Sequence, residues 1–457
     1  MVRETKKISD KTIQWIQGKP ILEIPEHSEI RFEEEQEDVL VFTESDEPII
    51  EDLKSRGIKL LKTTNGIEIS TFYNVGVREF SKFILKVIPK KVGDIESLGR
   101  MIAFCYMDKV KTFDLENIRF QKGDGPLEWL IMAFVQLTQR LIRNGLYRKY
   151  VTITDDVSYL KGKLLLKQQI QNTMKFNMKF HCEYDEFTSN NKENQIILHT
   201  LKKCLILSRR SELKTKTQKL IHQIDRQVED KIIRMDDFKQ IHYTRLNSRY
   251  RTPLVLSKLI LEHTGFKNIK EMKTDLIVPF FVNMPKLFEK FLEKMFQDYY
   301  SEWNVKKQDN RNPWIREPET EDKIGEIEPD LVFYKDSLED VNGKLIRENV
   351  EMIIDAKYME EPKRDARFQI AFYLHEYDVK RGFAICPTLE HTLHKDSQNR
   401  IVYKDDEAYL LKDEYQNKEI AVRHINVDEF LEIIFSDKSQ DEISRILEEI
   451  VPITARI

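Results

Sequence analysis

Glu326–Tyr358 reads EIEPDLVFYKDSLEDVNGKLIRENVEMIIDAKY, and the order of apolar and charged residues in it decides how the rest of the chain is read. Ile327 to Tyr334 and Val350 to Tyr358 are apolar runs of strand length, and the polar stretch between them holds Asn342-Gly343, a strong turn signal. Two neighbouring strands are expected. Side chains two apart on a strand share a face, so Asp355 and Lys357 project together while Ala356 points away, and Asp330 enters from the strand before. Clustered carboxylates suit Mg2+, which lowers the pKa of a bound water and screens a phosphodiester, and a nearby lysine can orient that water or stabilise the phosphorus centre. The pattern points to metal-assisted phosphodiester hydrolysis, with Asp330 and Asp355 as ligands of Mg2+ and Lys357 beside the reacting phosphate.

An acid-x-Lys triplet is cheap in a chain that is 33% charged, and Glu4-Thr5-Lys6, Glu271-Met272-Lys273 and Glu361-Pro362-Lys363 fit it too. Asp355-Ala356-Lys357 differs in context: it closes the apolar run Met352-Ile353-Ile354, and Pro329-Asp330 upstream is the only Pro-Asp in the sequence. The competing reading is an exposed strand end with a surface ion pair.

Downstream, Arg364 to Tyr377 has helical composition and Gly382 to Cys386 is another short apolar strand. Gln369 and Tyr373 lie four apart and so on one helix face. The order strand, strand, helix, strand resembles the PD-(D/E)xK nuclease superfamily. That resemblance implies a C-terminal α/β, restriction-endonuclease-like domain with Gln369 among its catalytic residues. For Tyr373, core packing is an equal reading. Pro285 to Phe296 is an amphipathic helix with Leu287, Phe288, Phe291, Leu292, Met295 and Phe296 on its apolar side. In the superfamily a glutamate on this helix sometimes completes the metal shell, which would be Glu289 here; a solvated helix face is the alternative.

At 457 residues the length fits about three domains, and 40% hydrophobic content is ordinary for a globular protein. No apolar run reaches membrane-spanning length, and the polar start MVRETKKISDKT lacks the apolar core of a signal peptide, so a cytoplasmic protein with no membrane partner is expected. Cys105, Cys182, Cys204 and Cys386 are scattered without C-x-x-C spacing and read as reduced structural thiols. A net charge of −4 neither requires nor excludes a polyanionic partner.

From Glu29 to Glu51 there are ten acidic residues and one basic one. Ile58 to Lys62 and Ile67 to Phe72 flank Asn65-Gly66, a hairpin signal, and Phe83 to Ile88 supplies a further strand. Residues 1–115 read as a mostly β domain suited to docking on a protein rather than on DNA. Residues 116–275 read as a helical, basic middle domain: Leu127 to Ile142 and Ile196 to Leu207 have helix composition. Nine Lys or Arg against two Asp lie between Arg140 and Phe180, and seven against one acid between Lys202 and Leu220. Such a face either binds phosphates or is simply solvated. Residues 276–457 form the nuclease-like part, giving a multidomain α+β chain.

Tyr159-Leu-Lys-Gly-Lys-Leu-Leu-Leu-Lys167 and the segment from Cys182 to Leu198 carry a more specific resemblance. With Val87-Ile-Pro-Lys90, the helix start at Met284 to Glu289 and the Asp-Ala-Lys strand, they are similar to the McrC family, nuclease subunits of McrBC-type 5-methylcytosine-dependent restriction systems. The resemblance implies double-stranded DNA as substrate. It also implies a hexameric AAA+ GTPase partner, McrB-like, which recognises modified cytosine and which the N-terminal and middle portions dock onto and stimulate. Lys163 departs from the arginine expected there, which keeps charge and loses bidentate geometry. No phosphate-binding loop G-x-x-x-x-G-K-[ST] occurs, so nucleotide hydrolysis belongs to a partner. His391 and His394 lack the companions of a zinc site. Two other readings remain from sequence: a non-catalytic adaptor of an AAA+ ring, and a stand-alone PD-(D/E)xK repair nuclease.

Overall fold

The computed structural model describes residues 3–7, 15–16, 19–33, 42–63, 66–106, 126–264, 280–300, 304–307, 312–316, 323–336, 346, 349–398, 400–405, 409–413, 418–436 and 440–452. The Asn342-Gly343 turn lies outside the described residues. The chain forms two compact units, Met1–Lys122 with Phe281–Ile457, and Gly123–Phe280. Residues 1–115 share one unit with residues 281–457.

In the first unit the N-terminal part is built from two sheets. One runs Arg3–Lys7, Glu29–Glu33, Gly66–Ser70, Lys59–Thr63, and the other Phe280–Asn283, Asn74–Glu79, Ile84–Ile88, Lys19–Pro25, Trp15–Ile16. Alternation along these strands turns Leu22, Ile24, Ile30, Phe32, Ile67 and Leu85 into one core. The expected hairpin is present, with Lys59–Thr63 antiparallel to Gly66–Ser70.

The rest of that unit is a six-stranded sheet in the order Asn304–Lys307, Leu331–Tyr334, Val350–Ala356, Arg381–Thr388, Lys418–Asn426, Tyr409–Asp413. Its three central strands, Val350–Ala356, Arg381–Thr388 and Lys418–Asn426, are parallel, as apolar strands joined by crossovers dictate. The helix Arg364–Glu376 makes the first crossover and covers one face, where Val332, Ile353, Ile370, Tyr373, Leu374 and Val422 pack together. The helix Met284–Tyr299 covers the other face, and Phe296 meets Phe333 ring to ring at 5.2 Å.

Ile327 to Tyr334 is not one strand. Lys323–Ile327 pairs with Asn312–Arg316 in a separate two-stranded sheet, and the main sheet resumes at Leu331. Pro329 cannot donate to a ladder, so the chain breaks there and Asp330 is left at the mouth of the sheet.

The second unit is less helical than expected. Helices Pro126–Arg143, Lys192–Leu207, Ser211–Ile224 and Arg251–Thr264 supply its core, with Trp129, Phe134, Ile197, Leu201 and Leu254 buried. Beside them stands a three-stranded antiparallel sheet, Lys163–Leu164, Phe180–Thr188, Lys149–Val157, carrying a helix Leu166–Met174 with no buried residue. Its strands alternate charge with single apolar residues, which masked the strand signal in a basic composition.

Candidate active site

The antiparallel register sets Leu331 opposite Ile354, so Asp330 and Asp355 each stand one residue beyond that pair, side by side. Asp355 follows Ile353 by two and therefore lies on the face covered by the helix Arg364–Glu376. Asp330 Oδ2 accepts the backbone N–H of Ala356 at 2.8 Å, which ties the loop carrying it to the end of the motif strand. Asp355 is only 2% exposed, and Lys357 Nζ reaches its Oδ2 at 2.6 Å. Burial, and behind it the negative charge of Asp355, push the Asp330 carboxyl up to about 7, against the pull of the Ala356 amide and Lys357.

The helix closes the arrangement. Lys357 Nζ donates to Gln369 Oε1 at 3.0 Å, Gln369 Nε2 donates to the Tyr373 hydroxyl at 2.6 Å, and that hydroxyl donates to the carbonyl of Glu328 at 3.1 Å. Burial, followed by Asp355, holds the Tyr373 phenol well above its ordinary range, so it stays a donor. The spacing of four that puts Gln369 and Tyr373 on one face therefore links the lysine to the loop holding Asp330. Tyr373 packs in the core and bonds in the network at once, which unites the two readings of it.

Glu289 does not join the pair. Its helix lies on the opposite face of the sheet, and among the described residues no three or more His, Cys, Asp or Glu side chains gather as a metal site. The donor set that remains, two adjacent carboxylates at one strand end, still fits Mg2+. That ion binds through one or two carboxylates and completes its shell with water and substrate phosphate. Asp330 and Asp355 would hold it.

Sequence reasoning missed Glu26. It follows the strand Lys19–Pro25 and is 1% exposed, and its Oε1 accepts from the Tyr358 hydroxyl at 2.5 Å and from the Lys90 amide at 2.9 Å. Burial pushes its carboxyl up to about 7. Tyr358 directly follows Lys357, so the N-terminal sheet grips the strand end that carries Asp355 and Lys357. Nothing local to Glu26 in the sequence announces this. The four cysteines are buried and form no disulfide. His391 pairs with Glu429 at 2.7 Å.

In the second unit the family-like segments have structural roles. At Gly162, φ is +65° and a Cβ would collide with the Glu183 carbonyl, so glycine is required there. Asn191 caps the helix Lys192–Leu207, and Asn194 donates to Tyr147 O and Ser189 O and accepts from the Tyr250 hydroxyl. Of the basic run after it, Lys202 pairs with Asp230 at 2.8 Å and Lys203 is buried.

A family model described as McrBC 5-methylcytosine restriction system component matches residues 70–385. The chain belongs to that family. The match spans every segment that carried the McrC resemblance, from Val87 to Lys357. Among solved structures, the refined half-complex of Thermococcus gammatolerans McrB AAA+ hexamers with bound McrC has a chain that is 20% identical. The likeness covers 94% of this chain and 100% of that one, with a TM-score of 0.57, and it shows a shared fold. The cryo-EM structure of the Thermococcus gammatolerans McrBC complex also matches, at 22% identity over 62% of this chain and 89% of that one, with a TM-score of 0.43. No curated protein matches the chain. Membership places it in a McrBC restriction system.

Proposed function

We propose that this McrBC component is the subunit that cuts DNA, a Mg2+-dependent endonuclease of the PD-(D/E)xK type acting in the cytoplasm. The observation that carries this is Lys357, ion-paired with Asp355 and hydrogen-bonded to Gln369 while Asp330 stands beside Asp355. An ammonium has three N–H donors, and the hydrogen bond to Gln369 leaves donors for a phosphate oxygen or the attacking water. Asp330 and Asp355 bind the cation, which when present screens the phosphodiester and makes a bound water more acidic. Gln369 and Tyr373 keep the lysine from swinging away.

We further infer a hexameric AAA+ GTPase as partner, consistent with the assembly in which the similar Thermococcus chain was solved. The three-stranded sheet of the second unit and its helix suit that contact. Among its exposed apolar side chains are Tyr150, Leu166, Ile170 and Met174, with Phe176 at 93% and Met178 at 97%. A cluster of that size is rare on a surface that meets only water.

The test is a cleavage assay on DNA with and without modified cytosine, using the chain with its AAA+ partner, GTP and Mg2+. Cutting of modified DNA by the wild type and none by Asp355→Asn supports the reading. Full cutting by a folded Asp355→Asn protein removes it.

A further inference from the structure

Helix dipoles favour anions at their N-termini, yet the helix Arg364–Glu376 begins with Lys363 as its cap residue, makes no side-chain cap bond, and continues with Arg364, so that Asp365 in its first turn is outnumbered by cations. A second group of cations stands nearby. Lys90 and Lys91, just past the strand Ile84–Ile88, both reach Glu360 Oε1 at 3.7 Å, too long for a hydrogen bond. Lys91 is 9% exposed, its ammonium makes no hydrogen bond among the described residues, and the one carboxylate within ion-pair distance of it there is Glu360, itself largely in solvent, with Glu26 acting on it from farther off. A nearly buried ammonium so thinly paired is costly unless an anion completes it.

The positive field is felt by its neighbours. Lys363 follows Glu360, which both lysines reach, by three residues, and burial, then Lys91, Lys90 and Lys363, lower the proton affinity of His27. Lys91 and Lys357 both pull down on the Cys386 thiol, which burial pushes up to about 12. Glu26 accepts from both the Lys90 amide and the Tyr358 hydroxyl, so the cluster borders the end of the motif strand.

We propose that Lys90, Lys91 and Lys363, at the start of the helix Arg364–Glu376, bind a backbone phosphate of the DNA strand next to the one held at Asp330 and Asp355. This rests on the nuclease reading. Glu360 is the placeholder that the phosphate displaces. The N-terminal part, whose acidic run from Glu29 to Glu51 argued against DNA contact, then supplies two of the three cations.

The test is equilibrium binding of a short DNA duplex to the full chain over a range of salt, with Ca2+ in place of Mg2+. Each lost phosphate contact lowers the slope of log K against log salt by roughly one, so Lys90→Gln with Lys363→Gln should lower it by about two. Lys59→Gln with Lys62→Gln removes the same charge from exposed positions of the N-terminal sheet and should leave the slope unchanged. Equal effects of the two pairs, or no salt-dependent binding by the wild type, overturn the proposal. Lys91→Gln should weaken DNA binding without lowering thermal stability, and Glu360→Gln should tighten binding; a destabilised Lys91→Gln protein with unchanged DNA affinity would mark Lys91 as structural. GTP is the control for the other common phosphate ligand: GTP binding to the isolated chain that is lost in the Lys90/Lys363 pair would overturn the assignment to DNA. Binding is read separately from cutting, so an inactive wild type would sink the nuclease reading and leave the site standing.

Discussion

Lys357 gains its meaning from its neighbours. An exposed lysine two residues after an aspartate is common, but one held at 2.6 Å from a buried carboxylate and at 3.0 Å from a glutamine amide is positioned. Gln369→Ala frees the ammonium without touching either carboxylate, so cleavage should slow by about ten- to a hundred-fold, as expected for a lost positioning contact. Mg2+ affinity should stay as in the wild type, and titration calorimetry with single-turnover rates checks both. Glu26 yields a prediction in pH. Its folded pKa of about 7 lies above its ordinary 4.5, so the stability it contributes is fully present below the lower value and is lost as pH rises through about 7. Glu26→Gln abolishes that loss: denaturant unfolding should show the variant gaining on the wild type between pH 5 and 8, by at most about 3 kcal/mol. A constant difference across that range would show that Glu26 folds ionised.

At the scale of elements, the residues that sequence reading brought together and those it missed differ in kind. Asp330, Asp355, Lys357, Gln369 and Tyr373 were legible because strand period two and helix spacing four are local rules, and all five meet in the structure. Glu289 obeyed the same local rule on its amphipathic helix, but which face of the sheet that helix covers is decided by long-range packing such as Phe296 on Phe333. The sheet of the second unit was hidden for another reason: its exposed apolar residues and lysines read as a solvated basic face. That sheet carries the docking prediction. Phe176→Asp with Met178→Asp should leave the chain folded, since both side chains lie in solvent, and should abolish its stimulation of the partner's GTP turnover. Undiminished stimulation would place the contact elsewhere.

For the whole molecule, the chain begins one unit, leaves it for another and returns. The helix Ile95–Tyr106 rests on Met284–Tyr299, with Phe104 edge-on to Phe291 at 5.4 Å, and Cys105 Sγ lies 3.8 Å from the Leu287 carbonyl. No local signal in residues 1–115 foretells that partner. The C-terminal part therefore shares its core with the N-terminal part. A fragment of residues 281–457 should lack cooperative unfolding, because it would expose Phe288 and Phe291; a sharp transition in that fragment would show an autonomous domain. The central claim, that Asp330, Asp355 and Lys357 hydrolyse phosphodiesters, is tested most directly by single-turnover cleavage with Lys357→Ala in the assembled complex at saturating Mg2+. Loss of one preorganised charge at the reacting centre predicts a rate lower by about a hundred-fold or more with Mg2+ binding intact; an unchanged rate would contradict it.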